Sequence, residues 1–334
     1  MEERTELPML SGKSSTTTPS PRSLGVFGIF REAFSVLAAN GKVMASIILL
    51  VIIPYQILAV VEKLTFTPLA KDLHSKLTLL KEYPIGSPLR AKILDELKHD
   101  SRVLLGVTTT FLLILIILAL FSLAAAASAS TMSYSRKKFS LMELLLKVKG
   151  TWKKPVVTWF YIFLVAVAYC VLALLLFGIV AATTHGRSLI LLSTAMLLFA
   201  VLASVYLAAV WTLALVVSVN EEDTCGMKAI TRAEELIKGR KTQGFLLKFL
   251  LSITAGLGII LLSRMRVGVL KYSGGLISVA SVVGICLIAL LKFFTFVVVT
   301  VFYHECKKDE VDKSGEEKMV KVGFVYSSVP SGEV

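Results

Sequence analysis

Residues 103–130 read VLLGVTTTFLLILIILALFSLAAAASAS and contain no charged side chain. A helix needs about 20 apolar residues to cross the hydrocarbon core of a membrane, so this stretch is long enough for one crossing. Five further stretches have a similar length and apolar character, which a soluble domain of this size would not carry. The sequence therefore predicts six membrane spans, at 43–62, 103–130, 156–182, 188–219, 244–262 and 276–303.

A shorter segment with apolar residues at helical spacing precedes each pair of spans. These segments are Leu24–Ala38, Ser140–Trp152 and Gly226–Lys238. Such spacing, with charged residues on the opposite face, is typical of a helix that lies in the membrane interface. In the first segment the predicted apolar face consists of Phe27, Phe30, Phe34 and Leu37.

These patterns together predict the fold class. We expect an all-α integral membrane protein with six transmembrane helices arranged as three hairpins, each preceded by a cytosolic amphipathic interfacial helix. The alternative to this threefold repeat is a chance alignment of helices at the membrane edge, because similarity between the three units is weak at the level of single residues.

The distribution of lysine and arginine predicts the orientation. With the N-terminus in the cytosol, the cytosolic segments hold 23 of these residues and the opposite segments hold 12. Cytosolic segments of membrane proteins carry the excess of positive charge. We therefore predict that both termini are cytosolic, in the endoplasmic reticulum or another endomembrane or in the plasma membrane. We attribute the net charge of +13 to the orientation in the membrane and to attraction of anionic lipids, and not to nucleic-acid binding.

The remaining segments divide the chain into three regions. Residues 1–22 form a polar tail that we expect to be disordered, 23–303 form the membrane domain, and 304–334 form a cytosolic C-terminal tail. Residues 63–102 are predicted as an outer loop that folds into a small helical hairpin of its own. In the N-terminal tail each of two hydroxyl residues precedes a proline and is a candidate phosphorylation site, with an unmodified tail as the alternative: Thr18 and Ser20.

A single lysine interrupts the sixth span. Lys292 lies between Leu291 and Phe293, near the middle of the apolar stretch. A charged residue at the bilayer centre costs about 3 kcal/mol on insertion scales, so it usually faces the protein interior or a cavity. Lys292 is therefore a candidate ligand or lipid contact. A packed structural lysine and a shifted span boundary are the alternatives.

Basic residues cluster at the predicted cytosolic edge of the membrane. A lysine or arginine near an anionic membrane surface contributes about 1 kcal/mol to lipid attraction. The alternative is that these residues only set the topology. The candidate contacts to anionic lipids are Arg136, Lys137, Lys138, Lys153, Lys154, Arg240 and Lys241.

Cys306 follows the last span directly and precedes two lysines, so it is a candidate for S-acylation. The alternative is an inert cysteine at the membrane edge. The four cysteines and four histidines show no spacing typical of a metal site. We therefore predict no catalytic, cofactor-binding or metal-binding residues and no enzymatic activity.

The segment Val217–Arg240, VSVNEEDTCGMKAITRAEELIKGR, resembles a recurring segment in a plant family of uncharacterised six-span membrane proteins. In that family the fourth span is followed by a glutamate, then by Gly-x-x-Ala, and then by Leu-Ile-Lys-Gly-Arg before the fifth span. Tyr303–Lys307 is similar to the family's Tyr-x-x-Cys-Lys exit from the last span, and Phe30–Phe34 to its N-terminal helix. The resemblance implies six spans and brings no activity with it. More distantly, the layout resembles the membrane domain of bacterial glycerophosphodiester phosphodiesterases, whose hydrolase domain has no counterpart in this sequence.

The leading functional hypothesis is a non-enzymatic organiser of membrane lipids or partner proteins. Its partners would be lipids with anionic headgroups on the cytosolic face, or other proteins, and not nucleic acid. The alternative is a transporter or lipid-handling protein with a cavity at Lys292. A membrane enzyme ranks last, because the spans contain no paired acids, histidines or metal ligands.

Overall fold

Every element in the described part of the chain is an α-helix. The computed structural model describes residues 24–39, 41–83, 87–134, 140–183, 186–269 and 274–327. The predicted N-terminal tail, with Thr18 and Ser20, lies outside these ranges, as do Arg136, Lys137 and Lys138. Within them the helices are α1 (Val26–Ala39), α2 (Gly41–Glu82), α3 (Pro88–Tyr134), α4 (Leu141–Thr151), α5 (Lys153–Thr183), α6 (Arg187–Asn220), α7 (Met227–Lys238), α8 (Lys241–Val269) and α9 (Gly274–Ser327).

Six of these helices are long and apolar enough to cross a membrane. They are α2, α3, α5, α6, α8 and α9, and each contains one of the six predicted spans. The all-α fold and the six apolar helices are therefore confirmed, and this is the architecture of a protein embedded in a membrane.

The described residues of the predicted outer region 63–102 are helical, and their helices are continuous with those of the adjacent spans. α2 continues without interruption to Glu82 and α3 begins at Pro88, so the chain turns only between them. The two helices have 42 and 47 residues, or about 63 and 70 Å at 1.5 Å per residue. Each is about twice as long as the 30 Å hydrocarbon core is thick. Lys76 links their far ends, with its Nζ 2.6 Å from the Asp100 carboxylate.

The start of the predicted C-terminal tail is also helical. The sequence predicts that the sixth span ends at residue 303, but α9 continues to Ser327. Hydropathy marks where the apolar stretch ends, whereas a helix ends only where its backbone hydrogen bonds end. Residues 304–327 therefore extend the last spanning helix.

The long helices form an inner group of three and an outer group of three. α3, α6 and α9 contact one another. α2 packs between α9 and α3, α5 between α3 and α6, and α8 between α6 and α9. Alanines allow close approach in the inner group, because Ala124 to Ala127 at the C-terminal part of α3 are fully buried.

The three short helices follow the same cyclic order. α4 packs on α2 and α3, α7 on α5 and α6, and α1 on α8 and α9. Each short helix has its largest contact with one inner helix, α4 with α3, α7 with α6 and α1 with α9. Smaller contacts join α4 to α5, α7 to α8 and α9, and α1 to α2 and α3. We call the end of the bundle that carries α1, α4 and α7 the short-helix end.

The face of α1 that packs on the bundle differs from the apolar face predicted for it. Ile29, Ala33 and Val36 are buried, whereas Phe27 and Phe34 are 83% and 62% exposed. The apolar spacing predicts a helix in the membrane interface and does not specify which of its residues pack on the bundle. Phe30 and Leu37 of that face are partly buried against the core, whereas Phe27 and Phe34 stay exposed.

Candidate functional site

Polar side chains from all three inner helices meet at the short-helix end. Thr131 donates a hydrogen bond to Asn220 Oδ1 at 2.8 Å, and His304 Nε2 lies 3.2 Å from the same threonine oxygen. The His304 ring stacks on Tyr134 with 4.7 Å between centroids and 2° between planes. The hydroxyl of Thr131 is therefore within hydrogen-bond distance of both Asn220 and His304. This junction joins α3, α6 and α9.

A nearly buried ion pair attaches α9 to the end of α7. The Arg240 guanidinium donates two hydrogen bonds to the Asp309 carboxylate, one of them 2.7 Å long from Nη2. Glu305 lies 3.7 Å from Arg240 Nη1, and the side chains of Arg240 and Glu305 are each 6% exposed. Burial opposes the charged form, but the hydrogen bonds and charge of Asp309 outweigh it and raise the pKa of Arg240 above its ordinary value.

A second, more exposed ion pair connects α9 with the middle of α7. Arg232 donates from both terminal nitrogens to the Glu310 carboxylate, at 2.8 and 2.6 Å. These hydrogen bonds raise the pKa of Arg232 above its ordinary value. Glu221, at the end of α6, accepts a 3.0 Å hydrogen bond from the Tyr303 hydroxyl and lies 3.5 Å from Lys307 Nζ. The charges here are therefore paired across α6, α7 and α9.

The basic residues singled out from the sequence have different environments. Lys153 and Lys241 are exposed. Lys154 Nζ donates to the backbone carbonyl of Glu221 at 3.2 Å and to that of Glu222. Arg240 is held by its carboxylates. Of the described candidates for lipid contact, Lys153 and Lys241 are the ones whose ammonium groups are open to a lipid headgroup.

The remaining two candidates, Cys306 and Lys292, lie in opposite environments, one buried and one exposed. Cys306 is only 3% exposed, within the core cluster of the bundle, and its S-acylation stays a prediction. Lys292 is exposed on the outside of α9, with its Nζ 6.0 Å from the centroid of the Tyr55 ring. It faces the surroundings of the protein and does not line the groove described next.

A groove of about 600 Å³ runs between α2 and α9, away from the short-helix end. Gln56 joins the two helices there, because its side-chain amide donates to the Val282 carbonyl at 2.9 Å and lies 3.0 Å from Cys286 Sγ. We call this the α2–α9 groove. It is lined by Gln56, Ala59, Val60, Lys63, Leu64, Thr67, Pro68, Lys71, Val282 and Ile285.

The sequence interpretation missed this groove and the ion pairs of α9. Arg240 and Asp309 are 69 residues apart, and Gln56 and Val282 are 226 residues apart, so no local pattern connects them. One local signal was available for Lys63 and Lys71. Neither has an aspartate or glutamate three or four residues away, although Lys81, Arg90 and Arg102 of the same region share this property.

Among the described residues, no group of three histidine, cysteine, aspartate or glutamate side chains is placed to hold a metal ion. The chemistry present is therefore that of helix-to-helix ion pairs, an apolar groove with two lysines, and exposed apolar and basic side chains at the short-helix end.

The fold and the six apolar helices define the class, which is that of multi-pass membrane proteins. Residues 20–323 match the family described as Domain of unknown function (DUF8558), and the chain belongs to this family. The chain has no match among the curated proteins or the solved structures. The plant origin and the likeness to the bacterial phosphodiesterase membrane domain stay predictions.

Proposed function

We propose that this protein is a non-enzymatic membrane protein that gathers anionic lipids at the cytosolic face through its short-helix end. In this proposal the six long helices cross the membrane as three hairpins, both termini are cytosolic, and α1, α4 and α7 lie in the interface. The greater number of lysines and arginines on the side of these helices supports that orientation.

The observation that carries the proposal is the apolar outer surface of the short helices. α1 and α4 each bury one face against the bundle, yet large apolar side chains on another face stay exposed, and α7 exposes Met227 at its start. A soluble protein avoids such an arrangement, whereas a helix in the membrane interface uses it to contact acyl chains. The exposed residues are Phe27 (83%), Phe34 (62%), Met142 (66%), Leu146 (58%), Trp152 (51%) and Met227 (55%).

Exposed lysines beside this apolar surface supply the preference for anionic headgroups. Lys153 begins α5 directly after α4, and Lys241 begins α8 shortly after α7. Each therefore lies where a short helix joins a spanning helix, at the level of the headgroups. A lysine there contributes about 1 kcal/mol of attraction to an anionic surface.

Lipid retention measures this proposal directly. The protein is reconstituted in nanodiscs of phosphatidylcholine and phosphatidylserine at a ratio of about 3:1, released, and analysed by native mass spectrometry. We expect phosphatidylserine to be enriched among the retained lipids. Lys153→Gln with Lys241→Gln should reduce that enrichment, and Phe27→Ser with Trp152→Ser should reduce the total number of retained lipids.

The matched control is Lys92→Gln with Lys98→Gln, which removes the same charge from two exposed lysines of α3 at the opposite end of the protein. We expect it to retain lipids as the unchanged protein does. Equal phosphatidylserine enrichment in both charge variants would refute the role of the short-helix end.

A further inference from the structure

We infer that the α2–α9 groove binds one anionic phospholipid, with an acyl chain along its apolar part and the phosphate between Lys63 and Lys71. This site lies at the other end of the spans from the short helices. It goes beyond the proposed function, because it requires a single defined lipid and not a general enrichment of anionic lipids.

The position of the groove along α2 matches the two parts of a phospholipid. Gln56 and Lys71 are its outermost lining residues on this helix, about 22 Å apart at 1.5 Å per residue. The predicted first span ends at residue 62, so the groove crosses the boundary between the apolar and polar parts of α2. Ala59, Val60 and Val282 line the part within the span. An acyl chain fits that part and a headgroup fits the rest.

Three residues of α2 form the polar part of the groove. Lys63, Thr67 and Lys71 follow one another at intervals of four, which places them on one face of the helix. Both lysines are exposed, and both line the groove. The two ammonium groups can therefore approach a phosphate above Thr67 from opposite sides.

The charges of these two lysines are available to a ligand, in contrast to that of their neighbour. Lys76 is 2.9 Å from Asp72 and 2.6 Å from Asp100, so carboxylates of the protein neutralise it. The residues three and four positions from Lys63 and from Lys71 include no carboxylate. Lys63 and Lys71 thus have no carboxylate at helical spacing, and they lie beside an apolar groove. Together these features complement an anion that carries an apolar chain.

The size of the groove is also appropriate. Its volume of about 600 Å³ lies within the range of about 300–1,000 Å³ found for small-molecule sites. A free phosphate ion would use the lysines and leave the apolar length empty. A neutral lipid would use the apolar length and leave the lysines without a counter-charge. An anionic phospholipid uses both, and the groove has room for one.

The test uses the full chain in nanodiscs of phosphatidylcholine with about one tenth phosphatidylglycerol, followed by native mass spectrometry at increasing collision energy. We expect one phosphatidylglycerol to stay bound after the other lipids have dissociated. Lys63→Gln with Lys71→Gln should reduce its occupancy at least about tenfold. Ala59→Trp, which fills the apolar part without changing charge, should also remove it.

Two control variants distinguish the groove from the exposed lysines elsewhere on the protein. Lys92→Gln with Lys98→Gln should keep the bound lipid, and so should Lys153→Gln with Lys241→Gln, whatever that second variant does to the general enrichment. Retention of the lipid in both Lys63→Gln/Lys71→Gln and Ala59→Trp would overturn the inference. Its displacement by millimolar inorganic phosphate would do so as well, because the site would then recognise phosphate alone.

Discussion

The ion pair between Arg240 and α9 gives the most specific stability prediction. Arg240→Met removes the guanidinium and leaves the carboxylates of Glu305 and Asp309 without it. Glu305 is 6% exposed and Asp309 33% exposed. Breaking a buried ion pair by removing one partner costs about 3–5 kcal/mol. Because water still reaches Asp309, we expect a cost at the lower limit, about 3 kcal/mol in the free energy of unfolding.

Arg232→Met is the matched control, since it removes a similar pair from the same helix junction. The side chains of Arg232 and Glu310 are 28% and 45% exposed, so solvent screens them. A pair of this kind contributes at most about 1 kcal/mol. Adding Glu305→Leu and Asp309→Leu to Arg240→Met should recover much of the loss, because no buried charge is then left without a partner.

The assay is unfolding by dodecyl sulfate in mixed micelles, followed by tryptophan fluorescence. Trp211 on α6 packs against the core and reports on the inner helices. Equal costs for Arg240→Met and Arg232→Met would refute the reasoning, because burial would then have no effect. A triple variant that is less stable than Arg240→Met would refute it as well, since the remaining carboxylates would not be the cause of the loss.

Two further predictions concern the glycines with positive φ and the cysteines. Gly226 has φ of +61° and an added Cβ would lie 3.0 Å from the Tyr161 ring, whereas Gly186 has φ of +68° and open space around it. We expect Gly226→Ala to destabilise by about 3 kcal/mol and Gly186→Ala by about 1 kcal/mol in the same unfolding assay; the reverse order would contradict the packing of α5. In single-cysteine variants, a membrane-impermeant maleimide should label the exposed Cys225 from the cytosol and should leave the buried Cys306 unmodified until the protein unfolds. Labelling of Cys225 only from the opposite side would contradict the proposed orientation, and equal labelling of both would contradict the burial of Cys306.

The sequence was sufficient for the elements whose signals are local. Apolar stretches identified the six long helices. The helical spacing of apolar residues in the shorter segments identified the three short ones. The start of α4 is an example, because Ser140 and Glu143 form a capping box that is readable from their spacing. The helices α2, α3 and α9 extend beyond the predicted spans for a physical reason. Hydropathy changes at the membrane surface, whereas a helix continues as long as neighbouring helices support it, as Lys76 and Asp100 do here.

The candidate sites were less predictable, because each depends on how a side chain is covered. Arg240 and Lys241 are adjacent in sequence, but the first is held by α9 and the second is exposed. Cys306 follows an apolar span, and the packing of α9 determines that its thiol is buried. The apolar period of α1 is visible in the sequence, but the period alone does not show that Ile29, Ala33 and Val36 are the residues that pack on the bundle.

The cyclic packing of the short helices has a consequence for biosynthesis. α1 is the first helix to leave the ribosome, yet its largest contact is with α9, which is synthesised last, besides its contacts with α2, α3 and α8. Ile29, Ala33 and Val36 therefore stay without their final cover until nearly the whole chain has been translated and inserted. α4 and α7, in contrast, have their largest contacts with α3 and α6, which already exist when these short helices emerge. A product truncated before α9 therefore lacks the largest contact of α1.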